Sequence, residues 1–410
     1  MIERFYKHPT IMLRYREGML GTYLDPLAGQ LEKEGYASES ACVQIRVIAG
    51  FGRWLEGKGI AAHEITQEHI NRYLRSRVQQ QHIRLGAAAA LKRLFSFLRE
   101  VGVIAEEVIV DSPGTKLKRE FETYLLRERV VVPKTVIAYA AFADRFLIDL
   151  FADGAPDLST LSAGDIVRFV QRQASSLRLK RAKLMTTALR SFLQFARYRG
   201  YINIDLAASV PAVANWSMTT IPRNLAPDQI ARVLASCNRQ TSMGRRDYAI
   251  LLLLARLGLR SNEVASLLLE DIDWKDGRIT VRGKGGTQDY LPLPADVGEA
   301  VAAYLQDGRP HVACRSLFLH ERAPITGFKG QQGVGSVVKH ALEKAGIDSP
   351  HKGAHQFRHS LATQMLSRGA SLTEIGQILR HKSPLTTQIY AKVDLASLRR
   401  LALPWPGGTL

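Results

Sequence analysis

The sequence is short of cysteine and has no long apolar run. Its three cysteines lie far apart and form no CxxC pair, which argues against a disulfide framework and against a zinc ribbon. The longest apolar stretch, residues 249–255, is flanked by Asp247 and Arg256 and is too short to cross a bilayer. Residues 1–5 lack the apolar core of a signal peptide. We therefore expect a cytoplasmic protein.

Acidic residues are also scarce relative to basic ones. The chain has 56 Lys and Arg against 38 Asp and Glu, a net charge of +18. Residues 69–99 and 166–204 are rich in Lys and Arg and contain no acid at all. Such segments favour a polyanionic partner, because each phosphate contact releases condensed counterions; an ordinary basic protein is the alternative. The residues that we expect to contact DNA are Arg72, Arg75, Arg77, Lys92, Arg93, Arg178, Lys180, Arg181, Lys183 and Arg190.

The two basic segments are matching parts of a repeated unit. Phe51 and Leu55 match Phe146 and Leu150 at an offset of 95 residues. In each unit apolar residues recur at three- and four-residue spacing, which predicts amphipathic helices. We interpret the match as a duplication, and a loose alignment of two unrelated helical bundles is the alternative.

Turn-rich joints at residues 111–114 and 211–222 separate these units from each other and from a third. In the third unit an apolar helix ends near Gly258, and strand-like segments follow on either side of a glycine-rich turn at 283–287. Beyond residue 334 the spacing is helical again. We predict a mainly α protein with a small antiparallel sheet. The predicted domains are 1–110, 113–215 and 220–410, the last with a tail helix at 393–402.

The third unit also holds polar residues suited to phosphodiester chemistry without a metal. Two arginines offer planar, permanently charged donors to the non-bridging oxygens. A tyrosine offers an oxygen nucleophile, a lysine in the glycine-rich turn offers a proton to the leaving oxygen, and two histidines offer further hydrogen bonds. These residues are Arg260, Lys284, His355, Arg358, His381 and Tyr390.

The order and spacing of these six residues resemble those of the tyrosine recombinase (phage integrase) family. The resemblance covers residues 220–402 well and 113–215 more loosely. It implies two tandem SAM-like helical DNA-binding domains before the catalytic domain, closing on duplex DNA as a clamp. The implied activity is site-specific DNA cleavage and rejoining through a 3′-phosphotyrosyl intermediate, for integration, excision or transposition of a mobile element. It implies no metal, ATP or other cofactor.

The resemblance implies roles for the charged residues and the nucleophile. Tyr390 would attack the phosphodiester, and Lys284 would act as general acid. Arg260 and Arg358 would clamp the scissile phosphate. Glu263, three residues after the first arginine, would orient that arginine or a neighbouring group, or cap a helix.

The histidines receive roles in the same way. His355 and His381 would hydrogen-bond the scissile phosphate, and His355 would share proton handling with the nucleophile. His359 would pack behind Arg358 as a support. One departure from the family is Arg380, which stands where glycine usually precedes the histidine. Because arginine disfavours left-handed backbone, we expect Arg380 not to adopt it and to contact DNA instead.

Other interpretations remain open. A type IB topoisomerase uses the same residues to relax supercoils, and a non-catalytic DNA-binding protein could retain them. A metal-dependent transposase would need a carboxylate cluster, which the sequence does not suggest. His351, His355 and His359 share a helical face, but nearby Lys352 and Arg358 would repel a zinc ion.

Exchange between two duplexes requires four strand cuts, so we expect a homotetramer on paired sites, with a sister recombinase or accessory protein as a further partner and no membrane. The tail after Tyr390 has Leu395, Leu398 and Leu401 at helical spacing and is too short to fold alone. It would dock on its own catalytic domain or on a neighbour's. A DNA substrate places the enzyme at the nucleoid.

Overall fold

The computed structural model of the chain describes residues 2–6, 9–79, 86–105, 113–152, 154–213, 224–283, 286–349, 352–381 and 383–393. They form two compact units: Met1–Ala105 together with Thr220–Leu410, and Glu106–Thr219. We call residues 2–105 the first region, 113–213 the second region and 224–393 the third region. Among the described residues, no helix is long and apolar enough to cross a membrane.

The first region is a helical bundle. Its helices are α1 (Pro9–Arg16), α2 (Gly21–Lys33), α3 (Ser38–Glu56), α4 (Gln67–Gln79) and α5 (Ala87–Glu100), with short 3-10 turns at Ile2–Arg4 and Ala62–Glu64. In α3, Ile45, Ile48, Phe51 and Leu55 follow the three- and four-residue spacing of one helical face and are all buried. Helix α5 packs against this face with Leu94.

The second region has an aromatic core. It contains α6 (Pro113–Thr123), a π-helical turn (Tyr124–Glu128), α7 (Pro133–Phe151), a 3-10 turn (Leu158–Thr160), α8 (Ala163–Ser176) and α9 (Leu179–Tyr198). Phe121, Phe146, Phe169 and Phe192 are fully buried, and the ring centroids of Phe146 and Phe169 are 5.0 Å apart. Phe146 and its predicted counterpart Phe51 are thus both core residues, and the duplication itself stays a prediction.

The third region combines helices with a small sheet. Its helices are α10 (Pro227–Ala235), α11 (Ser242–Leu257), α12 (Ser261–Ala265), α13 (Ala295–Asp307), α14 (Gln331–Lys344), α15 (His355–Ser367) and α16 (Leu372–Ile378), with 3-10 turns at Leu269–Asp271, Pro384–Thr386 and Gln388–Val393. Helix α11 is buried nearly all round and forms the centre of the core, where it packs on α13, α14 and α15. The predicted apolar helix ending near Gly258 is therefore confirmed.

The sheet has three antiparallel strands in the order β1 (Ile272–Asp273), β2 (Arg278–Arg282) and β3 (Gln288–Pro292). Ile279 and Val281 of β2 point into the core, and Val281 lies opposite Asp289 of β3. The turn between β2 and β3 closes with a hydrogen bond from Gly283 N to Thr287 O, 2.7 Å long. The predicted mainly helical fold with a small antiparallel sheet is confirmed.

The first and third regions contact each other within their shared compact unit. The backbone N–H of Ile325 donates to the carbonyl of Glu34 at the end of α2, at 3.0 Å. The side chain of Ile325 lies against Gly35, where a Cβ atom would approach it to 2.7 Å. The first region therefore supports the loop that precedes α14.

Candidate active site

Arg358 lies at the centre of the candidate site. It belongs to α15 and is 3% exposed. Its guanidinium donates to Gly258 O at 2.6 Å and to Leu379 O, so it joins the ends of α11 and α16. Burial, followed by repulsion from Arg260 and Arg380, lowers the pKa of Arg358 to about 10. The side chain is still protonated at neutral pH, and three of its five N–H groups take no part in these two hydrogen bonds.

The turn after α11 brings Arg260 to the same place. Gly258 ends the helix with φ of +57°, and a Cβ atom there would meet Leu379 and Leu361 at 2.9 and 3.0 Å. Only glycine fits a left-handed turn packed this closely. Arg260 directly precedes α12 as its N-cap residue, and its guanidinium is partly exposed.

Glu263 holds Arg260 in two ways. Its carboxylate accepts the backbone N–H of Arg260 at 2.8 Å and Nη1 of the same residue at 2.6 Å. Its side chain is only 4% exposed. Burial raises the pKa of Glu263, but the Arg260 backbone N–H and the charges of Arg380 and Arg260 outweigh burial, so the pKa lies below its usual value. Glu263 is therefore ionised, and it both caps α12 and orients Arg260.

Tyr390 lies in the 3-10 turn Gln388–Val393 and is 2% exposed. Its hydroxyl is 2.9 Å from Nδ1 of His359. Burial raises the pKa of Tyr390, and Arg358 and Arg260 offset part of that rise. Burial also lowers the pKa of His359 to about 4, with help from His355 and Arg358. A protonated phenol therefore faces a neutral imidazole.

This contact corrects the expectation for His359 and leaves the role of His355 in proton handling a prediction. His359 is bonded to the tyrosine hydroxyl instead of only packing behind Arg358. His355, expected to share proton handling with Tyr390, is exposed at the start of α15, and its ring lies 6.3 Å from that of His359. The four-residue spacing of α15 explains the difference, because it puts His359 one turn deeper than His355.

His381 stacks beside the tyrosine. The two rings are nearly parallel, with centroids 6.5 Å apart. Nδ1 of His381 is 2.7 Å from Oγ1 of Thr387, a buried threonine that the sequence interpretation missed. Burial and then the charges of Arg358 and Arg260 lower the pKa of His381 to about 4. Thr387 fixes the orientation of the ring; its position three residues before Tyr390 was the available signal.

The expectations for Arg380 are wrong. Its φ is +56°, so it does adopt left-handed backbone. Its side chain is 8% exposed and donates from Nη2 to Glu263 Oε2 at 2.8 Å, instead of facing outward toward DNA. The sharp turn between α16 and His381 imposes the backbone conformation, and the buried ion pair offsets its strain.

Five of the six predicted catalytic residues lie in one cluster, built from α12, α15 and the segment 380–390. The sixth, Lys284, lies outside the described residues, as do Gly285, His351 and the tail from residue 394 onward. The described residues contain no group of three or more His, Cys, Asp or Glu side chains that could hold a metal ion.

The expected DNA-contacting residues fall into two groups. One group is exposed on α4, α5 and the start of α9: Arg72, Arg75, Lys92, Arg178, Lys180, Arg181 and Lys183. The other is committed to internal contacts. Arg93 pairs with Glu34 at 2.8 Å, Arg190 donates to Val210 O at 2.9 Å, and Arg77 is half-buried beside the ring of Tyr73.

Arg93 and Arg190 therefore make structural contacts, and their expected contacts with DNA stay a prediction. Both are only partly exposed, and their guanidiniums are held by groups distant in the sequence. Helical spacing and net charge could not reveal those partners.

Comparisons with known proteins place most of the chain in one family. Residues 223–396 match the phage integrase family, and residues 119–200 match the phage integrase N-terminal SAM-like domain. The chain is 51% identical to the integrase/recombinase y4rA of Sinorhizobium fredii, over 95% of this chain and 96% of that protein. It is 30% identical to tyrosine recombinase XerC of Oceanobacillus iheyensis, over 68% of this chain and 92% of that protein.

Solved structures show the same fold at lower identity. The XerH site-specific recombinase bound to a palindromic difH substrate is similar with a TM-score of 0.56 and 18% identity, over 76% of this chain and 94% of that one. A lambda integrase (75–356) dimer bound to a COC' core site is similar with a TM-score of 0.53 and 16% identity, over 72% and 98%.

Proposed function

The chain belongs to the phage integrase family and is a tyrosine recombinase that cleaves and rejoins DNA at specific sites, and we propose that Tyr390 is its nucleophile. The observation that carries this proposal is the Tyr390 hydroxyl bonded to His359 beside the buried guanidinium of Arg358. Together these groups offer a nucleophile, a proton acceptor and a positively charged binding site for a phosphodiester.

The phosphate is held by a surplus of positive charge. Three guanidiniums, those of Arg260, Arg358 and Arg380, lie around the carboxylate of Glu263. Burial and then repulsion from the other two guanidiniums lower the pKa of Arg358, and the negative charge of an entering phosphodiester offsets this repulsion. Arg260 and Arg358 then stabilise the additional charge that develops on the non-bridging oxygens in the transition state. His381, held by Thr387, and His355 add hydrogen bonds to these oxygens.

The reaction begins when the Tyr390 oxygen attacks phosphorus. The P–O bond to tyrosine forms, the P–O5′ bond breaks, and the phenolic proton passes to Nδ1 of His359. With a pKa of about 4, His359 cannot ionise the phenol beforehand. The bound phosphate raises the pKa of His359, because its negative charge favours the imidazolium. Proton transfer is therefore coupled to substrate binding.

The leaving 5′-oxygen needs a proton, and we assign this role to Lys284. The assignment rests on sequence, since the turn between β2 and β3 carries this lysine between Gly283 and Gly286. The 3′-phosphotyrosyl bond retains the energy of the cleaved bond, so a 5′-hydroxyl rejoins the strand by the reverse path without ATP.

At the level of assembly, four strand cuts require four tyrosines and hence a tetramer on paired sites. We propose that the product is integration, excision or transposition of a mobile element, with a sister recombinase as a further partner. Domains at 1–110, 113–215 and 220–410 would grip duplex DNA, the first two through their exposed basic helices. Location at the nucleoid in the cytoplasm follows from such a substrate.

The test begins with binding. Duplexes that bind the Tyr390→Phe variant are enriched from a random pool, since this variant cannot cut them. The enriched duplex is then synthesised with a nick at each successive position. Wild type should form an SDS-resistant protein–DNA adduct on at least one nicked duplex, and Tyr390→Phe should bind with equal affinity and form none.

Two results would overturn this assignment. An adduct that persists in Tyr390→Phe means that another residue is the nucleophile. If the wild-type protein binds the duplex but never forms an adduct, the chain is a DNA-binding protein without catalytic activity. Relaxation of plasmids that lack the enriched sequence would instead favour a topoisomerase.

A further inference from the structure

The end of α16 differs from other helix ends of this chain in one residue. Six described helices end in a turn in which the residue with positive φ donates its N–H to the carbonyl three residues back, and the next residue donates to the carbonyl five residues back. In those six turns the residue with positive φ is Gly35, Gly59, Gly102, Gly200, Gly346 or Gly369.

Helix α16 ends in the same turn with an arginine. Arg380 N donates to Gln377 O and His381 N to Gly376 O, both at 2.9 Å. Left-handed backbone is unfavourable for any residue with a Cβ atom. The arginine therefore costs stability at a position where glycine would cost none, and its side chain must supply a compensating contact.

That contact lies inside the candidate site. Nη2 of Arg380 donates to Oε2 of Glu263 at 2.8 Å, and the two side chains are 8% and 4% exposed. The same carboxylate orients Arg260. Glu263 thus joins two arginines 120 residues apart in the sequence (380 − 260), and removal of Arg380 would leave a buried carboxylate with one cationic partner instead of two.

A further donor of Arg380, its Nε, faces the hairpin. This Nε is buried without a hydrogen-bond partner among the described residues, and Oδ2 of Asp289 on β3 lies 3.7 Å away. Asp289 is opposite Val281, so it sits on the strand that leaves the β2–β3 turn. A small inward shift of β3 would complete the bond.

We infer that Arg380 is a positioning residue of the cleavage reaction. It fixes Arg260 through Glu263, and it ties β3 to the same cluster through Asp289. It aligns the phosphate clamp with the hairpin without contacting the phosphate itself. This inference rests on the proposed function, because the clamp matters only if a phosphodiester is cut there.

The test uses the enriched, nicked duplex and compares three variants. Arg380→Gly removes the guanidinium and relieves the backbone strain. It should bind DNA within about twofold of wild type and keep its melting temperature, but form the adduct on the order of tenfold or more slowly at saturating protein. Arg380→Lys, which keeps one cationic contact to Glu263, should recover part of the rate.

Gly369→Arg is the matched control. It puts arginine into the same turn at the end of α15, where a Cβ atom meets nothing within 4 Å. It should lower the melting temperature and leave the adduct rate unchanged. The rate losses of Arg380→Gly and Glu263→Gln should also be non-additive in the double variant, because the two residues act through one contact.

The results distinguish a failure of the positioning role from a failure of the proposed function. If Arg380→Gly forms the adduct at the wild-type rate, the positioning role is wrong and the proposed function is unaffected. The same conclusion follows if its rate falls only in proportion to lost binding or lost folded protein. Wild type that forms no adduct on any nicked duplex refutes the proposed function and the positioning role together.

Discussion

Arg358 in the third region and Arg190 in the second region make similar contacts in different surroundings. Each guanidinium donates to two backbone carbonyls and so ties separate segments together: Arg358 to Gly258 and Leu379, and Arg190 to Val210 and Pro211. Arg358, however, lies near two further arginines, and its pKa is depressed to about 10. From this comparison we propose that an arginine bound to backbone carbonyls also binds phosphate only where other cations lie close to it and their charge is partly uncompensated.

The exposed cations of the second region make the opposite arrangement. Arg178, Lys180, Arg181 and Lys183 follow one another at the start of α9 in open solvent. Exposed charges of this kind attract a polyanion over distance and are screened by salt. We expect them to set affinity, while the buried cluster sets the rate of the chemical step.

The largest expected effect distinguishes the two tethering arginines. Arg358→Lys keeps the charge but loses the planar fork, so the saturated rate of adduct formation should fall by about 10²–10³, as when an oxyanion donor is removed. Arg190→Lys should lower stability and leave the saturated rate near wild type. Single-turnover adduct assays and thermal melts of both variants provide the measurement. Equal rate losses in the two would mean that the comparison is wrong.

A smaller effect is expected from the proton acceptor. His359→Ala should slow adduct formation by about 10²-fold, within the usual range for a lost general base. His355→Ala, one helical turn away, should have less effect, since it is His359 whose Nδ1 lies 2.9 Å from the Tyr390 hydroxyl. Rates of adduct formation measured at saturating protein show which variant loses more activity. A larger rate loss in His355→Ala than in His359→Ala would support the role in proton handling that the sequence suggested for His355.

Replacement of the surface cations should alter affinity alone. The triple variant Lys180→Ala/Arg181→Ala/Lys183→Ala should reduce the slope of log binding constant against log salt by roughly 2–3, about 0.9 per phosphate contact. Arg93→Gln, which breaks the internal pair with Glu34, should lower stability and keep the slope. Salt titrations of DNA binding test both. An unchanged slope in the triple variant would remove α9 from the DNA interface.

The smallest effect is a dependence of stability on pH. The folded-state pKa values of His359 and His381 are about 4, below the ordinary 6.5. The unfolded chain therefore takes up protons first, and stability present above about pH 6.5 is lost as pH falls toward 4. After discounting for solvent exposure, the loss is ~2 kcal/mol.

Urea unfolding at several pH values measures this loss. The double variant His359→Gln/His381→Gln should show a flatter profile than wild type between about pH 6.5 and 4. His63→Gln, on the exposed surface of the first region, is the control. A double variant with the wild-type profile would show that these histidines are not buried in their neutral form.

The sequence was sufficient for the helical architecture, the sheet and most residues of the cluster, because helical periodicity and the order of polar residues are local properties. It was insufficient where contacts between residues distant in the sequence determine the position of a side chain. Arginine disfavours positive φ, so the left-handed turn at Arg380 could be predicted only from its ion pair with Glu263, which lies 117 residues away in the sequence. The internal partners of Arg93 and the contact of His359 with Tyr390 likewise depend on packing between distant segments.

The central claim, that Tyr390 carries the covalent bond, has one direct measurement. The adduct formed on the nicked duplex is digested with protease and nuclease, and the nucleotide-bearing peptide is sequenced by mass spectrometry. We predict a nucleotide remnant on Tyr390, linked through its 3′-phosphate. A remnant on any other residue, or a 5′-phosphate linkage, would contradict it.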